Sequence, residues 1–273
     1  MTARATAADF AAGATVVHET RDGVMSITIN RPTRRNALTF DMYLALADLL
    51  TNAAEHEDVH AVLLHGSGDY FTAGNDLSDF IGYQADDEFV PIHFLRAIST
   101  CPKPVVAAVE GGAIGVGATL LLHCDAAYAG RSTRFLMPFV NLGLCAEGAS
   151  SLLLPRNAGY KQAVRWLMLA EPFDADAARD AGLITAVVDD GLALNAARET
   201  AARFASLPAD AVRTTKALMR ADQTEQVQAV IDSECDAFAR MLAAPRAQAA
   251  LTAFVNKSAS QKQREGADNS SRR

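Results

Sequence analysis

GGAIGVGATLLL, residues Gly111 to Leu122, lies between the apolar run VVAAVE (105–110) and the pair Cys124-Asp125. Its glycines at 111, 112, 115 and 117 fall between a strand-like segment and a helix-like one. A strand, a glycine-rich turn and a helix can hold a dinucleotide, cradle a phosphate or form an oxyanion hole. A dinucleotide site needs G-x-G-x-x-G. From Gly115 the sequence runs Gly-Val-Gly-Ala-Thr-Leu and lacks the third glycine; from Gly112 the next glycine comes three positions on instead of two. A phosphate loop needs a lysine after its last glycine, and none follows Gly117. What remains is a set of backbone N–H groups at a helix start, which glycine lets approach a reacting carbonyl closely. A tight turn where strand and helix pack together would use the same residues.

An oxyanion hole normally draws two N–H groups from different places. FTAGNDL, Phe71 to Leu77, offers the second, in a turn after the buried strand AVLLHG (61–66). Each run alone reads as a close-packed turn. Their pairing, each after a buried strand, raises the functional reading.

The rest of the chain bounds what this device serves. It has 273 residues, half of them hydrophobic and 21% charged, which suits one large α/β domain or one domain with a helical appendage. The net charge of -7 argues against general binding to nucleic acid or an anionic membrane surface. It leaves room for a small anionic ligand held by a local basic patch. Cys101, Cys124, Cys145 and Cys235 show no CxxC spacing, so a reduced, cytoplasmic compartment is expected. No apolar run is long enough for a transmembrane helix.

TVVHETRDGVMSITIN reads as a hairpin around Asp22-Gly23. A helix follows from about Phe40 to Ala54, then strands at 61–66 and 105–110, a helix at 115–123 and a short strand at AAYAG (126–130). This alternation predicts βαβ units in a covered, mostly parallel sheet. From Tyr160 the chain reads as helical, interrupted by one strand over 183–188. The expected organisation is a flexible arm over 1–14, a core over 15–207, a helical layer from Pro208 to 257 and a disordered tail over 258–273.

RPTRRNALT, SGDYFTAGNDLSDF, KPVVAAVEGGAIGVGATLLLHCD, FVNLGL and ARDAGLITAVV resemble consecutive signatures of the enoyl-CoA hydratase/isomerase (crotonase) superfamily. The resemblance covers roughly residues 15–205, with the motifs in the family's order. It implies an α/β fold, a spiral of ββα units with a C-terminal helical trimerisation region, and hence a homotrimer or dimer of trimers. It also implies an acyl-CoA thioester substrate whose enolate is held by two backbone N–H groups. By position these belong to Asn75 and Val116. Arg35, Ala37, Ala73, Gly74, Asp76, Leu77, Gly115, Gly117 and Phe139 fall, by the same resemblance, around the substrate. CoA is part of the substrate, so no separate cofactor and no metal is expected.

The resemblance also shows a departure. The family's hydratases place water with two glutamates, and those positions hold Thr119 and Phe139 here. A hydroxyl and a phenyl ring cannot jointly orient water and shuttle its proton. Glu147, in NLGLCAEGASSLLLP, lies where similar isomerases carry their catalytic acid. The resemblance thus points to an isomerase of the Δ3-Δ2-enoyl-CoA kind, with Glu147 as its proton carrier; the alternatives are a hydratase-like or other acyl-CoA thioester enzyme of the same fold, or a catalytically silent member of the family. Without the resemblance, the favoured reading of Glu147 is a carboxylate stabilising a helix start. Arg34 and Arg35 border the expected CoA site and are as readily a solvated loop. The aromatic residues between Phe80 and Phe94 line an acyl tunnel or pack the core. His65, His93 and His123 read as structural, and Asp76 and Asp125 as makers of local hydrogen bonds.

Overall fold

The computed structural model describes residues 14–256, so the expected arm (but for its last residue) and the tail lie outside the described residues. β1 (Val16–Arg21) and β2 (Val24–Ile29) form the expected hairpin. Its two turn residues, Asp22 and Gly23, both have positive φ, 50° and 77°, as a right-twisted two-residue turn requires.

β2 then pairs in parallel with β3 (Ala61–Gly66), and β3 with β4 (Val105–Val109). Every residue of β4 is buried, which is why its sequence is a continuous apolar run rather than an alternating one. Two helices cross over between these strands. α1 (Phe40–Glu55) is capped by Thr39, whose hydroxyl accepts from the Met42 N–H, and α2 (Pro91–Thr100) starts on a proline.

β5 (Gly112–Ile114) comes next, and then the expected helix at 115–123 breaks. Only α3 (Val116–Thr119) is α-helical, and Leu120–His123 tightens into a 3₁₀ turn. The chain must swing within a few residues into β6 (Ala126–Gly130), beside β4. β7 (Arg134–Leu136) pairs with β5, and β8 (Phe173–Asp174) with β7, in a second, three-stranded sheet. These strands of two or three residues are too short to leave a periodic pattern in sequence. Between β7 and β8 lie α4 (Ser150–Ala158) and α5 (Tyr160–Ala163), which continues as a π turn to Met168.

α6 (Ala175–Asp180) leads to β9 (Ala186–Val188), the outer strand of the six-stranded sheet β1-β2-β3-β4-β6-β9. α7 (Ala193–Ser206) covers one face of this sheet. It does so with Ala193, Ala197 and Ala201 against Ala61, Leu63, Val106, Ala108 and Ala126, small side chains that let the layers approach closely. The larger core, on the other face, holds α1, α2 and the site described below.

α8 (Ala209–Arg220), α9 (Thr224–Leu242) and a helix over 245–256 follow Pro208. The ammonium of buried Lys216 meets Asp125 Oδ2 at 2.6 Å, and Arg220 meets Oδ1 at 3.1 Å. Asp125 also accepts the Val105 N–H at 2.8 Å, so it makes the local bond expected of it and ties α8 to the sheet as well.

Candidate active site

The two glycine loops lie side by side. Thr72 and Ala113 form a parallel bridge, with the Thr72 N–H on Gly112 O at 3.2 Å and the Ile114 N–H on Thr72 O at 3.1 Å. Further along, Gly74 lies against Ile114 and Gly115, the residues just before Val116. A Cβ on Gly74 would lie 2.6 Å from Ile114 O, and one on Gly117 would lie 2.5 Å from the Thr72 methyl. Both glycines are therefore required by close approach, and Gly74 by its backbone shape as well. Gly74 has φ +80° and Gly115, the residue before α3, has φ +56°.

The peptides of this pair are partly committed. Gly115 N–H donates to Leu136 O at 2.8 Å, Leu38 N–H to Gly74 O at 2.8 Å and Asp76 N–H to Leu38 O at 2.7 Å. Among the described residues the N–H groups of Asn75 and Val116 have no backbone or side-chain acceptor. Val116 stands at the start of α3, where N–H groups are unpaired by helix geometry. Two adjacent, unpaired donors opposite one another can hold one oxygen anion.

The loop from Arg31 to Leu38 braces this arrangement. Arg31 meets Asp76 at 2.5 Å, and Ala37 O accepts from the Arg31 guanidinium at 3.1 Å. Burial alone would raise the Asp76 carboxyl, but hydrogen bonds from Ser78 and Arg31 outweigh it and hold the carboxyl below its ordinary value. Asp76 accepts the Ser78 N–H at 3.2 Å and so caps the turn that begins at Leu77. Arg35 and Asn36 are both left-handed, at φ 50° and 56°. The Arg35 carbonyl accepts the Ala73 N–H at 2.9 Å, while its exposed guanidinium lies 5.6 Å from the centre of the Tyr70 ring.

Glu147 sits in a turn before α4, only 3% exposed. The hydroxyl of Thr119, from the end of α3, donates to its Oε1 at 2.5 Å. Burial pushes the carboxyl up, the Thr119 hydrogen bond opposes that and the charge of Glu234 adds to it, leaving it at about 8. So burial, and not the helix start, decides its acidity. Thr119, expected only as a missing carboxylate, is a hydrogen-bond donor to the carboxyl that is present.

Three further groups hold the turn. His123 Nε2 donates to Gly148 O at 2.8 Å, and burial holds this imidazole neutral, its pKa lowered to about 4. Ser150 Oγ donates to Glu147 O at 2.7 Å. Glu234, on α9, accepts the Ala149 N–H at 2.6 Å and the Ser151 N–H at 2.9 Å.

Tyr43, on α1 and fully buried, donates its hydroxyl to Asn75 Oδ1. Its phenol is raised well above the ordinary value, by burial first and then by the charge of Glu147, which places the phenol within electrostatic reach of that carboxyl. Phe139 is buried, with its ring edge 3.8 Å from where a Gly115 Cβ would be and its ring centre 6.3 Å from that of Phe238. Phe238 continues through Phe89 (5.1 Å) and Phe80 (6.3 Å) to Phe40 (5.0 Å). The Phe80–Phe94 region therefore builds one aromatic wall with α1 and α9.

The structure thus brings Gly74, Asn75, Gly115, Val116, Gly117 and Phe139 together, and links Glu147 to them through Thr119 and Tyr43. Ala73, Asp76, Leu77, Ala37 and Arg35 form the brace on the other side of the first loop. The sequence reading missed Tyr43 and Glu234. Neither sits in a motif, and each acts on residues 32 or more positions away.

Two close-packed glycine loops after parallel strands, with a buried carboxyl hydrogen-bonded to the short helix that follows the second, define a class of α/β protein with a backbone N–H cradle. Comparison with known proteins is specific. A family model described as enoyl-CoA hydratase/isomerase matches residues 19–264, and the chain belongs to that family. It is 34% identical over 220 residues to enoyl-CoA delta isomerase 2 of Rattus norvegicus, covering 78% of this chain but 56% of the rat enzyme. It is 32% identical to 1,2-epoxyphenylacetyl-CoA isomerase of Escherichia coli, covering 81% of this chain and 87% of the relative. The solved structure of Pseudomonas aeruginosa OdaA superposes with a TM-score of 0.85 at 41% identity, covering 88% of this chain and 98% of that one. The crotonase-type fold expected from the motifs is the fold observed.

Proposed function

We propose that this chain is a Δ3-Δ2-enoyl-CoA isomerase that moves one proton with Glu147. The observation that carries the reading is the place of that carboxyl: buried, and hydrogen-bonded to Thr119 at the end of the short helix that begins with Val116. A base raised toward neutrality matches the weakly acidic C2 proton of a thioester better than an ordinary carboxylate does.

Glu147 in its ionised form takes a proton from C2 of a 3-enoyl-CoA. The electron pair passes into the thioester carbonyl, and the dienolate oxygen is held by the N–H groups of Asn75 and Val116. Glu147, now protonated, delivers the proton to C4, the double bond comes to rest between C2 and C3, and the carboxylate is restored. One group serves as base and then acid, so a second carboxylate is not needed. Glu234 is taken up by two peptide N–H groups, and Thr119 and Phe139 bring no carboxylate, which leaves hydration without its water-placing pair. Each oxyanion donor is worth about 3–4 kcal/mol of barrier in comparable sites.

A CoA thioester as substrate accords with the family and with the relatives' names. A homotrimer or dimer of trimers, a cytoplasmic setting and a division of the chain at Pro208 belong to the same proposal. Exposed Leu218 and Met219 on α8 offer apolar surface for assembly, and the four cysteines are free thiols. The test is to incubate the protein with 3-hexenoyl-CoA and follow formation of the conjugated 2-enoyl thioester. Conversion that Glu147→Gln abolishes is expected. No conversion, or rapid formation of 3-hydroxyacyl-CoA from added 2-enoyl-CoA, would overturn the isomerase reading.

A further inference from the structure

Glu147 belongs to a turn whose own residues brace it through Ser150, which donates to Glu147 O. Gly148 and Ala149 follow it with φ 69° and 54°, two successive left-handed residues of which the second is not a glycine. A left-handed alanine costs of order 1–3 kcal/mol and persists only where the surroundings impose it. Ala149 is also the residue before α4, where a side-chain oxygen would normally receive the first N–H groups of the helix, and alanine has none.

Glu234 does both jobs from 85 residues away. It is 8% exposed, and its two oxygens receive the N–H groups of Ala149 and Ser151, so it caps α4 and fixes the left-handed peptide together. The groups around Glu147 are Tyr43 from α1, Thr119 from α3, Cys145 in its own loop, and Cys235 and Glu234 from α9. His123 reaches the same turn through Gly148 O and is neutral. Glu234 is the second carboxyl of this set; burial raises its own pKa, and the hydrogen bonds from Ser151 and Ala149 oppose that rise.

We infer that Glu234 is a positioning residue for Glu147: by receiving the N–H groups of Ala149 and Ser151 it clamps the strained turn that aims the carboxyl. The role goes beyond the proposed activity and rests on that reading only in taking Glu147 as the reacting group. Burial is the largest cause of the raised Glu147 carboxyl, the Thr119 hydrogen bond opposes it, and the charge of Glu234 adds to it last and least.

The test separates clamp from charge. Glu234→Gln keeps length and one acceptor but loses the charge; Glu234→Asp keeps the charge but draws it back by one methylene. The primary readout needs no activity: titration of the Glu147 carboxyl by NMR on protein labelled with ¹³C-glutamate, its signal assigned by its loss in Glu147→Gln. The expected result is a wild-type midpoint near 8, lowered in Glu234→Gln, where the charge and one acceptor of the clamp are lost together, and little changed in Glu234→Asp. The second readout is exchange of the C2 protons of hexanoyl-CoA in D₂O, which reports enolate formation whether or not a double bond moves. A roughly tenfold slower exchange in Glu234→Asp at an unchanged KM is expected. An unmoved Glu147 midpoint in Glu234→Gln overturns the inference, as does wild-type exchange in Glu234→Asp should the glutamine variant not fold. Exchange without isomerisation by wild type would instead count against the isomerase reading and leave the role of Glu234 standing.

Discussion

The two halves of the site are built by different means. The pair of glycine loops is held mainly by backbone: peptide hydrogen bonds join them to each other, to the loop at 35–38 and to β7, with the Thr72 hydroxyl, Tyr43 and the Arg31–Asp76 pair as side-chain braces. The Glu147 turn is held by side chains arriving from elsewhere, Thr119 and His123 from the segment after β5 and Glu234 from α9. A backbone-held cradle depends on space and chain direction, and tolerates changes of side chain. A side-chain-held carboxyl depends on the identity of each partner. Enolate stabilisation and proton transfer are thus exposed to different kinds of substitution.

Glu147→Gln is the most severe break on the side-chain half. It should lower kcat by about 10²–10⁴-fold with 3-hexenoyl-CoA while the protein stays folded. The corresponding break on the backbone half is Gly74→Ala, since the added methyl would meet Ile114 O at 2.6 Å and φ +80° disfavours alanine. The loops must separate, and kcat should fall by about 10²-fold, the order of one lost oxyanion donor. Circular dichroism at the assay temperature verifies that this loss is not unfolding.

Thr119→Val probes the link between the halves. The hydroxyl opposes the burial of Glu147, so its removal should move the midpoint of the pH–rate profile upward from about 8 and slow the reaction at neutral pH by about tenfold. Asn75→Ala should show the smallest effect on rate, under about tenfold, because the peptide N–H remains. The buried Tyr43 hydroxyl loses its acceptor, however, and the variant should lose about 1–3 kcal/mol in denaturant unfolding.

Stability sharpens the contrast further. The Glu147 carboxyl is raised in the folded protein from 4.5 to about 8, so the fold binds its proton more tightly than the unfolded chain does. Its contribution to stability is fully present below pH 4.5, is lost as pH rises toward 8 and is constant beyond. Across that interval wild type should lose melting temperature relative to Glu147→Gln, as calorimetry at several pH values would show.

How much of this could be read from sequence follows the same division. Gly74, Gly115 and Gly117 are local markers, because glycine announces a backbone that other residues cannot follow, and the strands before them are continuous apolar runs. The hairpin at Asp22-Gly23 was legible for the same reason. The break after α3 was not, since ATLLLH carries ordinary helical propensities and the path is set by where β6 must pair. Glu147 was found through resemblance to a family and not through its surroundings. Its acidity depends on burial by residues distant in sequence, and Thr119 could be read only as a missing carboxylate. Tyr43 and Glu234 lie in unremarkable helices, and their partners are fixed by tertiary packing.

Glu234, Cys235 and Phe238 all belong to the long helix near the end of the described chain. The residues of the glycine loops and of the Glu147 turn precede that helix in the chain and are synthesised first. The turn's two hydrogen bonds to Glu234 close only when residues more than 80 positions later are in place. The backbone cradle thus depends on nearby chain, and the carboxyl's turn on a segment made long after it.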